Sequence, residues 1–296
     1  MTIRHLQIFM AVCKRGGITA AAESLSMTQP AVSIAIRELE NYYQTKLFDR
    51  MNRTLYLTQA GETLRRYASL ILGGLDEALE TLRSGEASAH CRFGVNVSIG
   101  ETVLTEILQR LQTRLPNTKP RVLVASTRLI EKKLCGNEID FAVIDSPSGG
   151  ANNAAIPLFT EKMSVVCAPA LCKDASIPLS TLSTQSLLLR EEGSGSRSCV
   201  EAVFRAQGLS ITPAAESASS LCLLHLAKDG FGYAFLPQKV AQQPISTGSL
   251  REIKVPDADF TRRYFIVYNK KKYLTPPAQA TIRILEQLWE ENSANG

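Results

Sequence analysis

The sequence predicts an α/β chain in three parts: a winged helix-turn-helix at the N-terminus, a long linker helix, and a two-lobed α/β domain. Three observations carry this. Residues 19–40, TAAAESLSMTQPAVSIAIRELE, read as two short helices around a tight turn. From Thr58, apolar residues recur in alternating steps of four and three over nearly three heptads. From Cys91 the period changes to strands alternating with amphipathic helices, the rhythm of a mainly parallel sheet covered by helices.

In the first part, Leu6, Phe9 and Val12 mark an opening amphipathic helix. Thr19 is placed to cap the second helix, and Ala20, Ala21 and Ala22 let its backbone lie close to a neighbour. The chain turns through Ser26 and Met27. Thr28 caps the third helix, and Pro30 falls in its first turn, where a missing N–H is harmless. Val32, Ile36 and Leu39 form its inward face; Gln29, Ser33, Ile34 and Arg37 lie opposite. A forked amide, a hydroxyl, an aliphatic tip and a guanidinium can read an adenine edge, a phosphate, a thymine methyl and a guanine. The run LFDRMNRTLYLT then adds Arg50 and Arg53 in a short hairpin, a basic wing suited to phosphate or the minor groove. The competing reading is a helical hairpin inside an all-α core. An exposed Ile34 opposite the apolar stripe, and the wing itself, favour double-stranded DNA as partner.

Composition is that of an ordinary globular chain: 296 residues, 45% hydrophobic and 21% charged. No apolar run reaches the ~20 residues of a membrane span, and the N-terminus lacks a signal-peptide core, so a cytoplasmic protein without membrane contact is expected. The net charge of +5 is concentrated at one end. Up to Arg66 there are nine Lys and Arg against five acids (Glu23, Glu38, Glu40, Asp49, Glu62), which suits a protein that touches a polyanion with one part only. Seven cysteines without a CxxC pair fit reduced thiols better than a disulfide framework.

The linker helix, 58–84, carries Leu64, Ala68, Ile71, Leu75, Ala78 and Leu82 along one seam, with Glu62, Arg65, Asp76, Glu80 and Arg83 outside it. At 1.5 Å per residue it is about 40 Å long. A narrow seam with a polar back predicts self-pairing rather than a core helix. Residues 84–90, SGEASAH, read as a hinge. Beyond it, Phe93, Val95 and Val97 alternate as a strand. A turn at Ser98-Ile99-Gly100 leads into a helix with Val103, Leu104, Ile107, Leu108 and Leu111 inward, then strand RVLVA, a helix from Thr127, and strand FAVID. A second unit begins near Met163 with strand SLLLR, the loop EEGSGSR, two helices and DGFGYAFLP. YFIVY and a last helix return to the first.

QPAVSIAIRELE followed by LFDR and LTQAGE resembles the N-terminal signature of the LysR-type transcriptional regulators. TRLIEKKLCGNEIDFAVID, and the pairing of EEGSGSR with GFGYAFLP, extend the resemblance over nearly the whole chain. One departure is Gln44, where the family usually has Gly after the recognition helix; a left-handed backbone there costs Gln up to ~1 kcal/mol relative to Gly. The resemblance implies a DNA-binding domain over 1–58, a dimerising linker over 59–90, and a periplasmic-binding-protein-like effector domain over 91–296. Lobe I is then 91–162 and 266–296, lobe II 163–265. It further implies a homodimer or homotetramer, a small-molecule effector, and contact with RNA polymerase.

Thr28, Gln29, Pro30, Ser33, Ile34, Arg37, Arg50 and Arg53 are therefore the candidate DNA contacts. Ser98, Gly100, Thr102, Thr127 and Ser194 are the candidate effector contacts, through hydroxyls and helix N-termini that favour a small anion such as a carboxylate. The bland reading is that these hydroxyls only cap their own helices. Catalytic and metal chemistry find no pattern. GSGS at 193–196 is neither a phosphate loop nor a hydrolase elbow, and His5, His90 and His225 have no ligand spacing, so no enzyme activity and no cofactor are expected. Two readings compete with regulation by an effector: a solute-binding module or enzyme on the same scaffold, and a redox-responsive regulator. Peroxide-sensing relatives carry a reactive Cys where this chain has Ser194 and Gly195. Cys199, near Arg197 at a helix start, is the thiol that could still qualify.

Overall fold

A computed structural model describes residues 1–51, 54–84, 90–145, 147, 149, 152–172 and 174–294. These fall in two compact units, one within 1–88 together with 135–138, the other within 89–134 and 139–296.

The first unit runs α1 (Ile3–Arg15), α2 (Ile18–Ser24), α3 (Gln29–Tyr43), β1 (Phe48–Met51), β2 (Thr54–Leu57) and α4 (Gln59–Ser84). Leu6, Phe9 and Val12 of α1, Ala21 and Ala22 of α2, and Val32, Ile36 and Leu39 of α3 meet in one core. α1 ends at Gly16, which takes the left-handed backbone (φ 73°) that favours glycine. Extended Gly17 follows and caps α2. The helix thus starts one residue before Thr19, which lies exposed in its first turn and is not the cap. Thr28 does cap α3, its hydroxyl accepting from the Ala31 N–H at 3.4 Å. Gln44 is left-handed (φ 51°), so the strain expected of a non-glycine is present there. β1 and β2 pair antiparallel, Phe48 opposite Leu57.

In α4 the apolar seam divides. Leu64 and Ala68 are buried in the same core as Phe9 and Leu39, so the helix's first turns belong to this unit rather than to a separate linker. Ile71, Leu75 and Leu82 lie 46%, 42% and 82% exposed, and Leu79 joins them at 47%. That remainder of the stripe stands partly exposed to solvent.

The second unit opens with β3 (His90–Asn96), α5 (Val97–Thr102), α6 (Leu104–Arg114), β4 (Lys119–Ala125), α7 (Thr127–Cys135), β5 (Phe141–Asp145) and the long β6 (Asn153–Cys167). It continues with α8 (Leu179–Leu182), β7 (Leu187–Arg190), α9 (Gly195–Ala206), β8 (Pro213–Ser217), α10 (Ser220–Lys228), β9 (Tyr233–Pro237), α11 (Gln238–Ser246) and β10 (Arg251–Ile253). It closes with β11 (Thr261–Asn269) and α12 (Pro276–Ala294). The strand order is β4-β3-β5-β11-β6-β9-β7-β8, with β10 also on β6. β3 pairs parallel with β4 and β5, as β7 does with β8 and β9; β5, β11, β6 and β9 pair antiparallel.

β6 and β11 thus carry the chain between two lobes. Both lobes are covered on two faces, which is why β5, β7 and β9 are buried at every position. In lobe I, Phe159 stacks between Tyr264 and Trp289 with ring centres 4.6 and 4.5 Å away. Three expectations change. The turn expected at Ser98-Ile99-Gly100 is a short helix, α5, which ends where Val103 leaves the helical region (φ −135°) and α6 begins. The return to lobe I begins at Thr261 rather than 266, and Tyr264 is already in that lobe's core. Lobe II does not begin with its own strand near Met163, since β6 runs unbroken from Asn153.

Candidate functional site

On α3, the 3.6-residue period separates the faces cleanly. Val32, Ala35, Ile36 and Leu39 are buried; Thr28, Gln29, Pro30, Ile34 and Arg37 are exposed, and Ser33 is half-buried. Ile34 is 52% exposed, an aliphatic tip held in solvent rather than in the core. Arg50 lies on β1, its side chain outside the described set, and Arg53 is outside the described residues. Glu40, the last residue of the QPAVSIAIRELE run, ties the helix to the hairpin. Its carboxylate accepts from the Leu47 N–H (2.9 Å), the Phe48 N–H (3.4 Å) and Lys46 (2.8 Å).

The candidate effector residues lie at the seam between the lobes of the second unit. Ser98 does not end a strand: Asn96 does, and caps α5 by accepting from the Ile99 N–H at 3.0 Å. Ser98 is 2% exposed and accepts from Arg262 Nη1 at 3.1 Å. Gly100 packs under Val124, and Thr102 donates its hydroxyl to the Ser98 carbonyl at 2.7 Å. Thr127 opens α7 and donates to Asp145 Oδ1 at 2.9 Å. Ser194 caps α9, accepting from the Arg197 N–H at 3.1 Å. Arg197 itself turns to Glu201 (2.5 Å) and Glu216 (2.9 Å).

The group at the centre is an ion cluster that the sequence does not announce. Asp145 and Arg262, both with fully buried side chains, pair at 3.0 Å. Arg262 Nη1 also donates to Ser196 Oγ at 2.7 Å, and Nη2 to Glu161, which takes the Tyr264 hydroxyl at 2.9 Å. Asn96 Nδ2 donates to Asp145 Oδ1 at 2.8 Å. Burial works against the charge on Arg262. Tyr264, Asp145 and Glu161 outweigh it and hold the pKa above the ordinary arginine value. The one available signal is a carboxylate closing the otherwise apolar strand FAVID; nothing local marks Arg262 as its partner.

The Cys199 thiol faces the Thr261 carbonyl at 3.9 Å, and burial pushes its pKa up to about 11, with Arg262 only partly countering. This is opposite to the depressed value a reactive thiol needs. Among the described residues there is no cluster of three His, Cys, Asp or Glu fit to hold a metal ion, and no helix long and apolar enough to cross a membrane.

A helix-turn-helix with a reading face, joined in one chain to a two-lobed α/β domain with a polar seam, defines a transcriptional regulator with an effector-binding domain. Residues 3–62 match the family described as bacterial regulatory helix-turn-helix protein, lysR family, and residues 84–290 match the LysR substrate binding domain. The chain belongs to the LysR family of transcriptional regulators, proteins that bind DNA and effectors and form oligomers.

The RuBisCO operon transcriptional regulator of Allochromatium vinosum is 26% identical over 285 residues, covering 95% of this chain and 94% of that protein. The regulator CbbR of Rhodospirillum rubrum is 28% identical over 287 residues, covering 96% and 95%. Among solved structures, ArgP from Mycobacterium tuberculosis superposes with a TM-score of 0.72 at 20% identity over 96% of this chain and 95% of that one. Full-length OxyR from Pseudomonas aeruginosa gives 0.66 at 22% identity, over 97% and 94%. These structural likenesses concern the fold.

Proposed function

We propose that this regulator binds an imperfect inverted repeat in double-stranded DNA as a homodimer or dimer of dimers, and that a small anion bound between its lobes alters that binding. Gln29, Ser33, Ile34 and Arg37 read base edges, while Thr28 and Pro30 seat the N-terminal turn of α3 and Arg50 and Arg53 hold phosphate or minor groove. Ser98, Gly100, Thr102, Thr127 and Ser194 mark the effector region, and the partly exposed stripe of α4 pairs the subunits. The protein works in the cytoplasm without catalytic turnover and acts on transcription through contact with RNA polymerase.

The observation that carries the reading is the face of α3. A polar and aliphatic row stands exposed on a helix whose other side is fully buried. Selection of bound sequences from a random pool, followed by mobility-shift assays at several salt concentrations, tests it. A two-fold motif with half-sites about one DNA turn apart is expected, or a multiple of that spacing. A thermal-shift screen of metabolite carboxylates and inorganic anions tests the effector, because a ligand that binds the folded state raises its stability. Binding without sequence preference would refute the DNA reading; turnover of any screened metabolite would refute the non-enzymatic one.

A further inference from the structure

The seam between the lobes contains a cation that the fold leaves incompletely used. Arg262 is enclosed, and its Nε has no hydrogen-bond acceptor among the described residues. A buried guanidinium N–H without an acceptor is costly, and such groups are rare in native proteins. Its partner Asp145 is held through both oxygens. Oδ1 takes Asn96 (2.8 Å) and Thr127 (2.9 Å), while Oδ2 has Arg262 (3.0 Å).

Two helix N-termini border this carboxylate. Thr127 is the first residue of α7, and Gly195 is the first of α9. Gly195 approaches so closely that a Cβ there would overlap the carboxylate. Hydroxyls, helix N-termini and a guanidinium are what an anion site consists of. Here the chain's own carboxylate fills it.

We propose that Asp145 is the resting occupant of the effector cleft, and that an effector carboxylate or oxyanion binds by displacing it from Arg262. The proposal rests on the reading that an anion binds between the lobes, and it names how that site is regulated. Exchange of one anion for another keeps a negative partner on Arg262 Nη1.

The exchange also reports across the seam. Arg262 Nη1 joins Asp145 and Ser98 of lobe I to Ser196 of lobe II. The same seam is crossed by the Ser98–Ser196 hydroxyl pair at 3.5 Å and by the Arg128 N–H on the Gly193 carbonyl at 3.3 Å. An anion that takes Nη1 breaks the bridge that shuts the lobes, so binding and lobe position are linked through one guanidinium.

The test uses the full-length protein with sodium sulfate and sodium acetate as probes, at ionic strength held constant with sodium chloride, read by calorimetry and thermal shift. Asp145→Asn removes the competing charge and should bind sulfate at least ~10-fold more tightly than wild type. The double variant Asp145→Asn with Arg262→Gln should lose that gain. Asn96→Ser keeps the α5 cap but removes a donor from Asp145, and should raise sulfate affinity several-fold; it decides the matter should Asp145→Asn fail to fold. Equal sulfate binding by wild type and both single variants overturns the proposal, as does a gain that survives loss of Arg262. DNA binding is followed in parallel. A failed sulfate test with sequence-specific DNA binding intact removes displacement alone. A wild-type protein that binds neither DNA nor any screened anion removes the broader reading.

Discussion

Glu40→Ala should detach the hairpin from the reading helix. Glu40 leaves the last turns of α3 and accepts from the Leu47 N–H at 2.9 Å, with longer contact to Phe48 and an exposed partner in Lys46. Leu47 is 1% exposed, so its N–H has no water to replace the lost acceptor. A buried donor left unsatisfied costs about 1–3 kcal/mol, and bonds to charged groups lie toward the upper end. The Lys46 pair adds little, being exposed on one side. Together this places Glu40→Ala at about 2–3 kcal/mol and Glu40→Gln, which keeps a carbonyl acceptor, at about 1 kcal/mol.

Hydrogen exchange over residues 44–51 is the assay. Protection should fall by roughly 30- to 140-fold in the Ala variant, at about 1.4 kcal/mol per decade, with exchange in the second unit unchanged. The pH dependence follows from the carboxyl. Burial raises its pKa, but Lys46 and the Leu47 and Phe48 amides more than offset that, leaving it below its usual value of 4.5. The stabilisation is therefore full above pH 4.5 and is lost as pH falls through the folded value. Wild type should lose protection at 44–51 on acidification through that window, and Glu40→Gln should lack the step. Unchanged exchange in Glu40→Ala would refute the assigned role. So would altered sequence preference without weaker binding, because Glu40 positions the wing and does not face a base.

Leu75→Glu sets charges into the exposed stripe of Ile71, Leu75, Leu79 and Leu82, and an apolar seam should reject them at a cost of several kcal/mol. Sedimentation should show a monomer; an intact dimer would assign the stripe elsewhere. Ser33→Ala should relax sequence preference, whereas Arg53→Ala should weaken all sequences alike and reduce the salt slope by about one. Reversal of those two outcomes in salt-titrated mobility shifts would undo the division between reading and anchoring. Because burial raises its pKa from 9.0 to about 11, Cys199 should be alkylated by iodoacetamide at pH 8 about 100-fold more slowly than an ordinary free thiol, and a rate equal to that of free cysteine would reopen a thiol-based response.

Residues alone reveal whatever a single segment decides. Thr28 caps α3 because a hydroxyl, a proline and an apolar period stand in one window, and the split of α3 into buried and exposed faces follows from that period. FAVID is a strand over the five residues expected, since an unbroken apolar run suits a sheet covered on both sides. Thr19 misleads because backbone geometry, left-handed Gly16 followed by extended Gly17, sets the start of α2 ahead of the hydroxyl. β6 misleads because Pro157 and the polar run Thr160-Glu161-Lys162 hide a strand that crosses between lobes.

The site is half legible for the same reason. Ser98 and Thr127 stand out by position, as hydroxyls beside helix starts, and both do lie at the seam. Their partners do not. Asp145 and Arg262 stand 117 residues apart, and only the return of β11 alongside β5 brings them together. Hydroxyls and helix N-termini converging on a cleft suggest an anion from outside. A strand that ends on a carboxylate at the same place supplies one from within, at an effective concentration no free ligand matches. On the displacement proposed above, an effector competes with the chain itself, and its affinity depends on how firmly Asn96 and Thr127 hold Asp145 as well as on the contacts it makes.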